Sequence, residues 1–472
     1  MIGRLALRSL TAHPVRSMVL ASGFGVGVAV MAILLGIAQI VLEQARAPAL
    51  AGGGDVLVDI APQVPARIVL AGTLQADDLR RHIRVAAPSH ASTLFLLHKG
   101  RRIGVDARGG IPSLERKLGD PETAAIAAWE DSPDDIAWST DTPEQTLRYI
   151  DRFHPIPDAP EWSASWAEWL YFNGRAGGTR FYLTFLVGPT AADGRRAAGV
   201  RLQLDRGGAV ETFSASHPIG EADALGAPDL TIGASSIRLD GVRYRVHLDL
   251  RDTRGRRALG DLTLDASPGR LVPPLEISGA RGWRTGYVVP VMSGALNGTL
   301  DVDGTPVAFA GGTGYHDHNW GFWQGVSWQW GQAQQGDLSL LYGRVFPPRE
   351  AADPERIPGF VGVLGRDGPL GYANNVTITE VNDARGQPEK ITVIARGLDI
   401  DIRVSFEVES TVLTRAAGAG PLASGLDFLQ LRGTYTVTGR AGTRSLNFSA
   451  PGSAETFRGK DTGAAEASPP RP

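Results

Sequence analysis

Gly314-Tyr315-His316-Asp317-His318-Asn319-Trp320-Gly321 is the stretch from which the fold of this chain is read. Nine histidines serve 472 residues, and two of them stand one residue apart here. Four of the ten tryptophans, Trp320, Trp323, Trp328 and Trp330, follow in the same neighbourhood. Side chains alternate across a strand. As a strand, the stretch places His316, His318 and Trp320 on one face and Tyr315, Asp317 and Asn319 on the other. Two imidazoles and an indole sharing a face can move a proton, polarise a bond or hold a cation.

The same two-residue texture extends outward. Val242–Leu250 alternates Val242, Tyr244, Val246, Leu248 and Leu250 with charged neighbours, the pattern of a half-buried strand. Similar runs occur at Arg180–Val187, Gly298–Val302, Ser327–Ala333, Ser339–Val345, Val376–Val381, Ile391–Ala395, Leu398–Val408 and Leu431–Gly439. Turns such as Asp240-Gly241, Asp303-Gly304 and Asp367-Gly368 separate them. Many short, evenly spaced strands predict antiparallel barrels or sandwiches, and the length allows two. In Glu168-Trp169-Leu170-Tyr171-Phe172-Asn173-Gly174, alternation sets Trp169, Tyr171 and Asn173 against Glu168, Leu170 and Phe172. Trp162 and Trp166, four residues apart, read as a short helix on a barrel end. The acidic stretch from Glu130 to Asp135 reads as a surface loop.

A net charge of -3 and a pI near 6.3, with no basic stretch carrying interleaved aromatics, argue against nucleic-acid binding. The absence of cysteine excludes disulfides, thiolate nucleophiles and Cys-ligated metal. Ser17–Leu42 carries no charge and is long enough to span a bilayer, which takes about 20 apolar residues. Arg4, Arg8 and Arg16 precede it, which predicts the amino terminus inside and the bulk of the chain outside. A retained single-pass inner-membrane anchor is expected, because a signal-peptide core is shorter, about 7–15 residues. Cleavage near Ala49-Leu50-Ala51 is the alternative. The expected organisation is a cytoplasmic 1–16, a transmembrane helix 17–42, a small α+β membrane-proximal region 43–124, two β domains at 125–274 and 275–458, and a disordered tail 459–472.

The stretch Arg8–Ser17, with Ala51–Val58 after the apolar segment, resembles the first membrane helix and following strand of FtsX-like ABC-transporter permeases. The likeness covers about the first 115 residues. It departs from that family in lacking later membrane helices, since the longest later uncharged stretch, Thr285–Leu300, is broken by Gly, Pro and polar residues. It implies an ABC transporter ATPase or permease as partner.

Gly314–Gly321, together with Glu168–Gly174 and with Tyr287-Val288-Val289-Pro290 leading through Ser293-Gly294, resembles the carotenoid 1,2-hydratases (hydroxyneurosporene synthases) and their AttH-type lipocalin-like relatives. This likeness covers roughly 125–458. It implies a mainly β chain of two consecutive lipocalin-like antiparallel β-barrels with an apolar pocket. It also implies an isoprenoid or lipid-like ligand, no cofactor, and a possible hydro-lyase activity that adds water across a C=C bond. His318, Trp320, Asp317 and Tyr342 are the candidate catalytic residues; His316, Tyr315, Trp328, Trp330, Trp169, Tyr171 and Asn173 are the candidate ligand contacts. The family's Tyr-x-Asp is Tyr342-Gly343-Arg344 here, and arginine cannot donate a proton at neutral pH.

Hydration of an isolated isoprenoid double bond needs a positioned acid and aromatic faces to shield the cation. The proton can come from Asp317, if burial raises its pKa, or from His318 as imidazolium. Those two point oppositely on a regular strand, and the resemblance favours the His318 and Trp320 face. Two other readings stay open. One is a metal site, for which no third ligand at a telling spacing is found. The other is a polar lock between strands. Function divides likewise between a hydratase, a non-enzymatic lipid-binding accessory subunit of a transporter, and a structural envelope protein.

Overall fold

The computed structural model describes residues 14–15, 56–60, 64–98, 101–120, 123, 126, 128–139, 141–366, 368–415 and 426–459. The expected membrane segment 17–42, most of the permease-like motif and the tail beyond Gly459 lie outside these residues. Among the described residues no helix is long and apolar enough to cross a membrane. They fall into two compact units, one holding residues up to 59 and 85–135, the other 60–84 and 136–472.

In the first unit, β1 (Ser89–His98) and β2 (Arg101–Gly110) form an antiparallel hairpin followed by the Pro112–Leu118 helix. Arg108 joins it to the helix through Glu115 at 2.9 Å and Asp120 at 2.8 Å. Val56–Ile60, expected to belong to a strand, is irregular. The acidic loop instead starts a helix, Pro133–Ser139, because Asp134 and Asp135 sit in its first turn, where carboxylates face the positive end of the helix dipole.

The second unit is built from two antiparallel sheets. The first contains β3 (Trp166–Ala176), β4 (Thr179–Thr190), β5 (Arg196–Arg206), β6 (Ala209–Ser216), β7 (Leu230–Ile232), β8 (Ser235–Asp240), β9 (Arg243–Arg251), β10 (Arg257–Asp265), β11 (Val272–Ser278), β12 (Arg284–Val302), β13 (Thr305–Ala308) and β14 (Gly312–Phe322). Its order is β10-β12-β14-β3-β4-β5-β6-β9, and β9 pairs back onto β10 along its whole length. The ring therefore closes as a barrel, with β6 meeting β9 at Ser214 and Arg251. The second sheet runs β18-β17-β16-β15-β23-β22-β21-β20-β19. Its strands are β15 (Ser327–Gln335), β16 (Leu338–Phe346), β17 (Phe360–Gly365), β18 (Gly368–Ala373), β19 (Asn375–Asn382), β20 (Pro388–Arg396), β21 (Ile400–Arg415), β22 (Leu426–Ala441) and β23 (Arg444–Gly459).

Apart from Val242 and Leu398-Asp399, which precede β9 and β21, the runs singled out for their alternation lie on strands, because a half-buried sheet demands that pattern. The boundary expected at 274/275 is corrected: β11 to β14 pair into the first sheet, and the second begins at β15. Periodicity identifies strands but carries no information about their partners. The helix expected at Trp162 and Trp166 is also corrected. Only a short turn, Ser163–Ser165, forms before Trp166 opens β3.

The helix Pro143–Asp151 starts with proline in its first turn and a full capping box between Thr142 and Gln145. Its Leu147 and Ile150 belong to the same apolar core as the inward residues of the barrel. A second core lies within the second sheet, around Tyr342, Phe406 and Tyr435. Gly331 leaves room for that tyrosine pair: a β-carbon there would stand 2.3 Å from the Tyr435 hydroxyl and 2.4 Å from the Tyr342 ring. Gly331→Ala is therefore expected to destabilise the protein by about 1–3 kcal/mol, read as a lower midpoint in denaturant unfolding. An unchanged midpoint would show that the two rings are not packed on this glycine.

Candidate functional site

β14 divides its side chains between two environments. Toward the barrel interior, His316 and His318 are fully buried and Trp320 nearly so. His316 stacks on Phe172 at 4.0 Å; its Nδ1 meets the Tyr171 carbonyl at 2.9 Å and its Nε2 meets Asp151 Oδ2 at 2.9 Å. The Tyr244 hydroxyl donates to the same carboxylate oxygen. His318 repeats the arrangement, with Nδ1 3.1 Å from the Ile150 carbonyl and Nε2 2.9 Å from Glu168 Oε1. The capped helix thus supplies Ile150 and Asp151, and β3 supplies Glu168. Glu168 also receives the His154 backbone N–H at 2.9 Å and lies 2.7 Å from the His154 ring. Burial alone would raise the Glu168 pKa, yet the hydrogen bonds and positive charge of His154 and His318 hold it below the ordinary 4.5.

Three ligand atoms from His154, Glu168 and His318 lie within 4.8 Å of one another. This is the third donor that sequence spacing did not provide. The three groups already satisfy one another by hydrogen bonds, as a buried polar lock does. Gly286 makes room for the same cluster, since a β-carbon there would fall 2.0 Å from the Trp320 indole.

The other face of β14 looks toward the second sheet. The Trp330 Nε1–H donates to the Tyr287 hydroxyl at 2.9 Å, the Tyr287 and Tyr315 hydroxyls lie 2.7 Å apart, and Tyr315 donates to Asp317 Oδ2 at 2.9 Å. Asn319 donates to the other Asp317 oxygen at 2.8 Å. Tyr171 stands directly across the strand pair from Asp317, and Asn173 across from Tyr315. From the second sheet, Gln430 on β22 donates both to the Tyr171 hydroxyl at 3.1 Å and to Glu455 on β23 at 3.0 Å. Trp169, Trp323, Trp328 and Phe457 pack into an aromatic wall beside them, with Trp328 stacked on Phe457 at 4.1 Å.

Two carboxyl groups are thereby enclosed by hydroxyls and indoles. Burial, reinforced by the charge of Glu455, pushes Asp317 well above its ordinary 3.8. Burial pushes Glu455 up to about 7, against hydrogen bonds from Tyr171, Gln430 and Trp328. Two buried carboxyl groups with raised pKa values that act on one another are the electrostatic pattern of acid–base sites. Next to the pair a narrow cleft between the sheets holds a cavity of about 20 Å³, lined by Arg175, Arg180, Tyr182, Thr313, Gln334 and Ser453 among others. Asn173 and Gln332 lie on its lining and are joined by a 3.2 Å hydrogen bond.

The candidate residues are therefore split three ways. Tyr315, Asp317, Trp328, Trp330, Trp169, Tyr171 and Asn173 come together between the sheets. His316, His318 and Trp320 stay inside the barrel, which separates His318 and Trp320 from Asp317 as strand alternation requires. Tyr342 lies in the second sheet's own core, its hydroxyl 3.5 Å from that of Tyr435. Arg344 packs over Phe346 and lies 3.6 Å from Glu355, apart from both clusters. Asp151, His154, Gln430 and Glu455 were missed. The Thr142-Pro143-Glu144-Gln145 helix start and the lone acid in Ser453-Ala454-Glu455-Thr456-Phe457 were the available signals.

Opposite pH dependences follow for the two faces. Glu168 has a lowered pKa, so its contribution to stability is present above 4.5 and lost as pH falls through its folded value. Asp317 and Glu455 have raised values, so the folded state binds protons more tightly than the unfolded chain. Stability then falls as pH rises from 3.8 for Asp317, and between 4.5 and about 7 for Glu455. Glu455→Gln is expected to gain on the order of 3 kcal/mol relative to wild type between pH 4 and pH 8, and Asp317→Asn to gain in the same direction. Denaturant unfolding at the two pH values measures both. A variant no more stable relative to wild type at pH 8 than at pH 4 would show its carboxyl to be ordinary.

No family model and no curated protein matches the chain. Among solved structures the chain is similar to kievitone hydratase from Nectria haematococca, at 14% identity over 64% of this chain and 93% of that one, with a TM-score of 0.43. An AttH-like protein from Nitrosomonas europaea is similar at 16% identity over 64% and 99%, with a TM-score of 0.40. CghA is similar at 13% over 69% and 97%, also with a TM-score of 0.40.

Proposed function

We propose that this protein binds an apolar, unsaturated small molecule of isoprenoid type between its two sheets and adds water across a C=C bond. The observation that carries the reading is the buried Asp317–Glu455 pair inside a cage of tyrosines and tryptophans. In the proposed step, the π electrons of the alkene form a C–H bond with the carboxyl proton of Asp317, leaving a tertiary carbocation and the Asp317 carboxylate. The faces of Trp330, Tyr171 and Tyr315 attract the cation, an effect of about 0.5–2 kcal/mol per ring. A water molecule then forms the C–O bond and yields its proton to the Glu455 carboxylate. Proton return from Glu455 to Asp317, through the hydroxyls around them, resets the site. The sum is addition of H and OH, with no cofactor.

This reading moves the acid from the His318 and Trp320 face to Asp317. His318 has both ring nitrogens committed to acceptors, whereas burial raises the Asp317 pKa well above the ordinary 3.8 and so favours the protonated form that a donor needs. His316, His318, Asp151 and Glu168 serve instead to set the register of β14 against β3 and the capped helix. The two-barrel lipocalin-like architecture belongs to the same reading, and so does the alternative of a binding subunit without chemistry. Membrane anchoring through 17–42, an extracytoplasmic location and a transporter partner are proposals from the sequence.

The test is hydration of farnesol by the full-length protein, followed by mass spectrometry as gain of one water. Asp317→Asn is expected to lower the rate by about 10²–10⁴-fold while the fold is retained. The rate should rise with pH as Glu455 ionises near 7, and Glu455→Gln should remove that limb. Turnover that survives in Asp317→Asn would overturn the assignment. Farnesol retained without hydration by the wild type would favour the binding subunit.

A further inference from the structure

Two guanidinium groups at the mouth of the cleft are not explained by the chemistry at Asp317. Arg175 on β3 and Arg180 on β4 are directly opposite one another in the strand register. Like charges in that position repel and destabilise a sheet. Both are half-buried, and the structure gives them backbone carbonyls rather than carboxylates. Arg175 reaches the Pro451 carbonyl at 3.5 Å and the Gln334 carbonyl at 3.4 Å, and Arg180 reaches the Gly452 carbonyl at 3.3 Å. Asp205 is next across the sheet from Arg180; Arg432 takes its Oδ2 at 2.6 Å, and its buried Oδ1 has no hydrogen-bond partner, so Arg180 stands near this carboxylate without bonding to it. Burial and the neighbouring Arg180 charge push the Arg175 pKa below its ordinary value, as an uncompensated pair requires.

We propose that Arg175 and Arg180 bind the carboxylate of the substrate, which is an isoprenoid acid rather than a neutral hydrocarbon. The proposal rests on the hydration reading for the fate of the other end of the molecule, not for the anion site itself. Guanidinium groups present planar, paired N–H donors that match a carboxylate, and a half-dry cleft strengthens the attraction. The register adds a length. Arg175 pairs with Thr313, Asn173 with Tyr315 and Tyr171 with Asp317. The arginine rung and the acid are thus four residues apart, roughly 14 Å at about 3.4 Å per residue. A chain of three isoprene units separates its head group from its last double bond by a comparable distance. Farnesoate matches that length; Asn173, Gln332, Tyr182 and Ser453 line the interval and are joined in pairs by hydrogen bonds of 3.2 and 3.1 Å that the bound chain must part.

Calorimetric titration of the full-length protein with farnesoate, farnesol and inorganic phosphate tests the site. Farnesoate is expected to bind at least about tenfold more tightly than farnesol, as charge-assisted hydrogen bonds require, and this advantage should shrink as salt is added. In the double variant Arg175→Gln, Arg180→Gln the advantage should vanish while farnesol affinity stays the same. The ligand-free double variant should melt no lower than wild type, because a repulsive pair has been removed; a lower melting point would overturn the reading of the pair as uncompensated. Equal affinities for acid and alcohol in the wild type would overturn the proposal, as would no binding of farnesoate at millimolar concentration. Phosphate binding as tight as that of farnesoate would overturn the assignment to a carboxylate with a tail. Arginine-dependent farnesoate binding without hydration would leave the anion site standing and remove the proton-transfer reading.

Discussion

The two-residue period of β14 is the constraint on which the rest of this structure depends. One short strand carries ionisable groups on both faces, and both faces are dry. A buried charge or hydrogen-bonding group is tolerated only with partners, so each face of β14 dictates what must pack against it. Inside the barrel this means the carboxylates of Asp151 and Glu168 and the carbonyls of Tyr171 and Ile150. Outside, it means the hydroxyls and amides that reach Asp317 and, from the second sheet, Glu455.

The inner partners explain an architectural feature with no other cause in the sheet. The Pro143–Asp151 helix must end where it does, because its last two residues deliver a carbonyl and a carboxylate to the two histidines. The lock it forms with β3 and β14 is held by hydrogen bonds to both ring nitrogens of each histidine, with Asp151 Oδ1 and the Trp320 Nε1–H left without partners. Such a lock specifies register more than it adds stability, since removing a charge from water offsets much of what pairing returns. A fixed β14 in turn fixes where Asp317 stands.

The outer face is arranged in the reverse sense. No guanidinium or ammonium group reaches Asp317 or Glu455 at hydrogen-bond distance among the described residues; hydroxyls, amides and indole N–H groups do. Burial raises the pKa of both acids, and the neutral hydrogen bonds around them offset only part of that rise where a cation would offset more. The result costs folding stability as pH rises. On the same side, Arg175 and Arg180 face each other across the strand pair without a bonded carboxylate.

Much of this was legible in the residues alone. Alternation located the strands, and it also stated that His318 and Asp317 could not share a cavity. Of the residues expected as ligand contacts, Tyr315, Trp328, Trp330, Trp169, Tyr171 and Asn173 do gather on one side of the strand pair, while His316 falls on the other. Period carries the face of each side chain, because every second residue must point the same way. It carries nothing about which strand pairs with which, so the placement of β11 to β14 in the first sheet was settled only by tertiary structure. The same is true of Asp151 and Gln430, which lie more than a hundred residues from His316 and Tyr171, of Glu455 and His154, and of Tyr342, drawn into a core of its own. Protonation state was decided last and only in space. Asp317 and Glu168 are both carboxyl groups beside ring-bearing residues in the sequence, and only burial among neutral groups in one case and histidine partners in the other shift their pKa values in opposite directions.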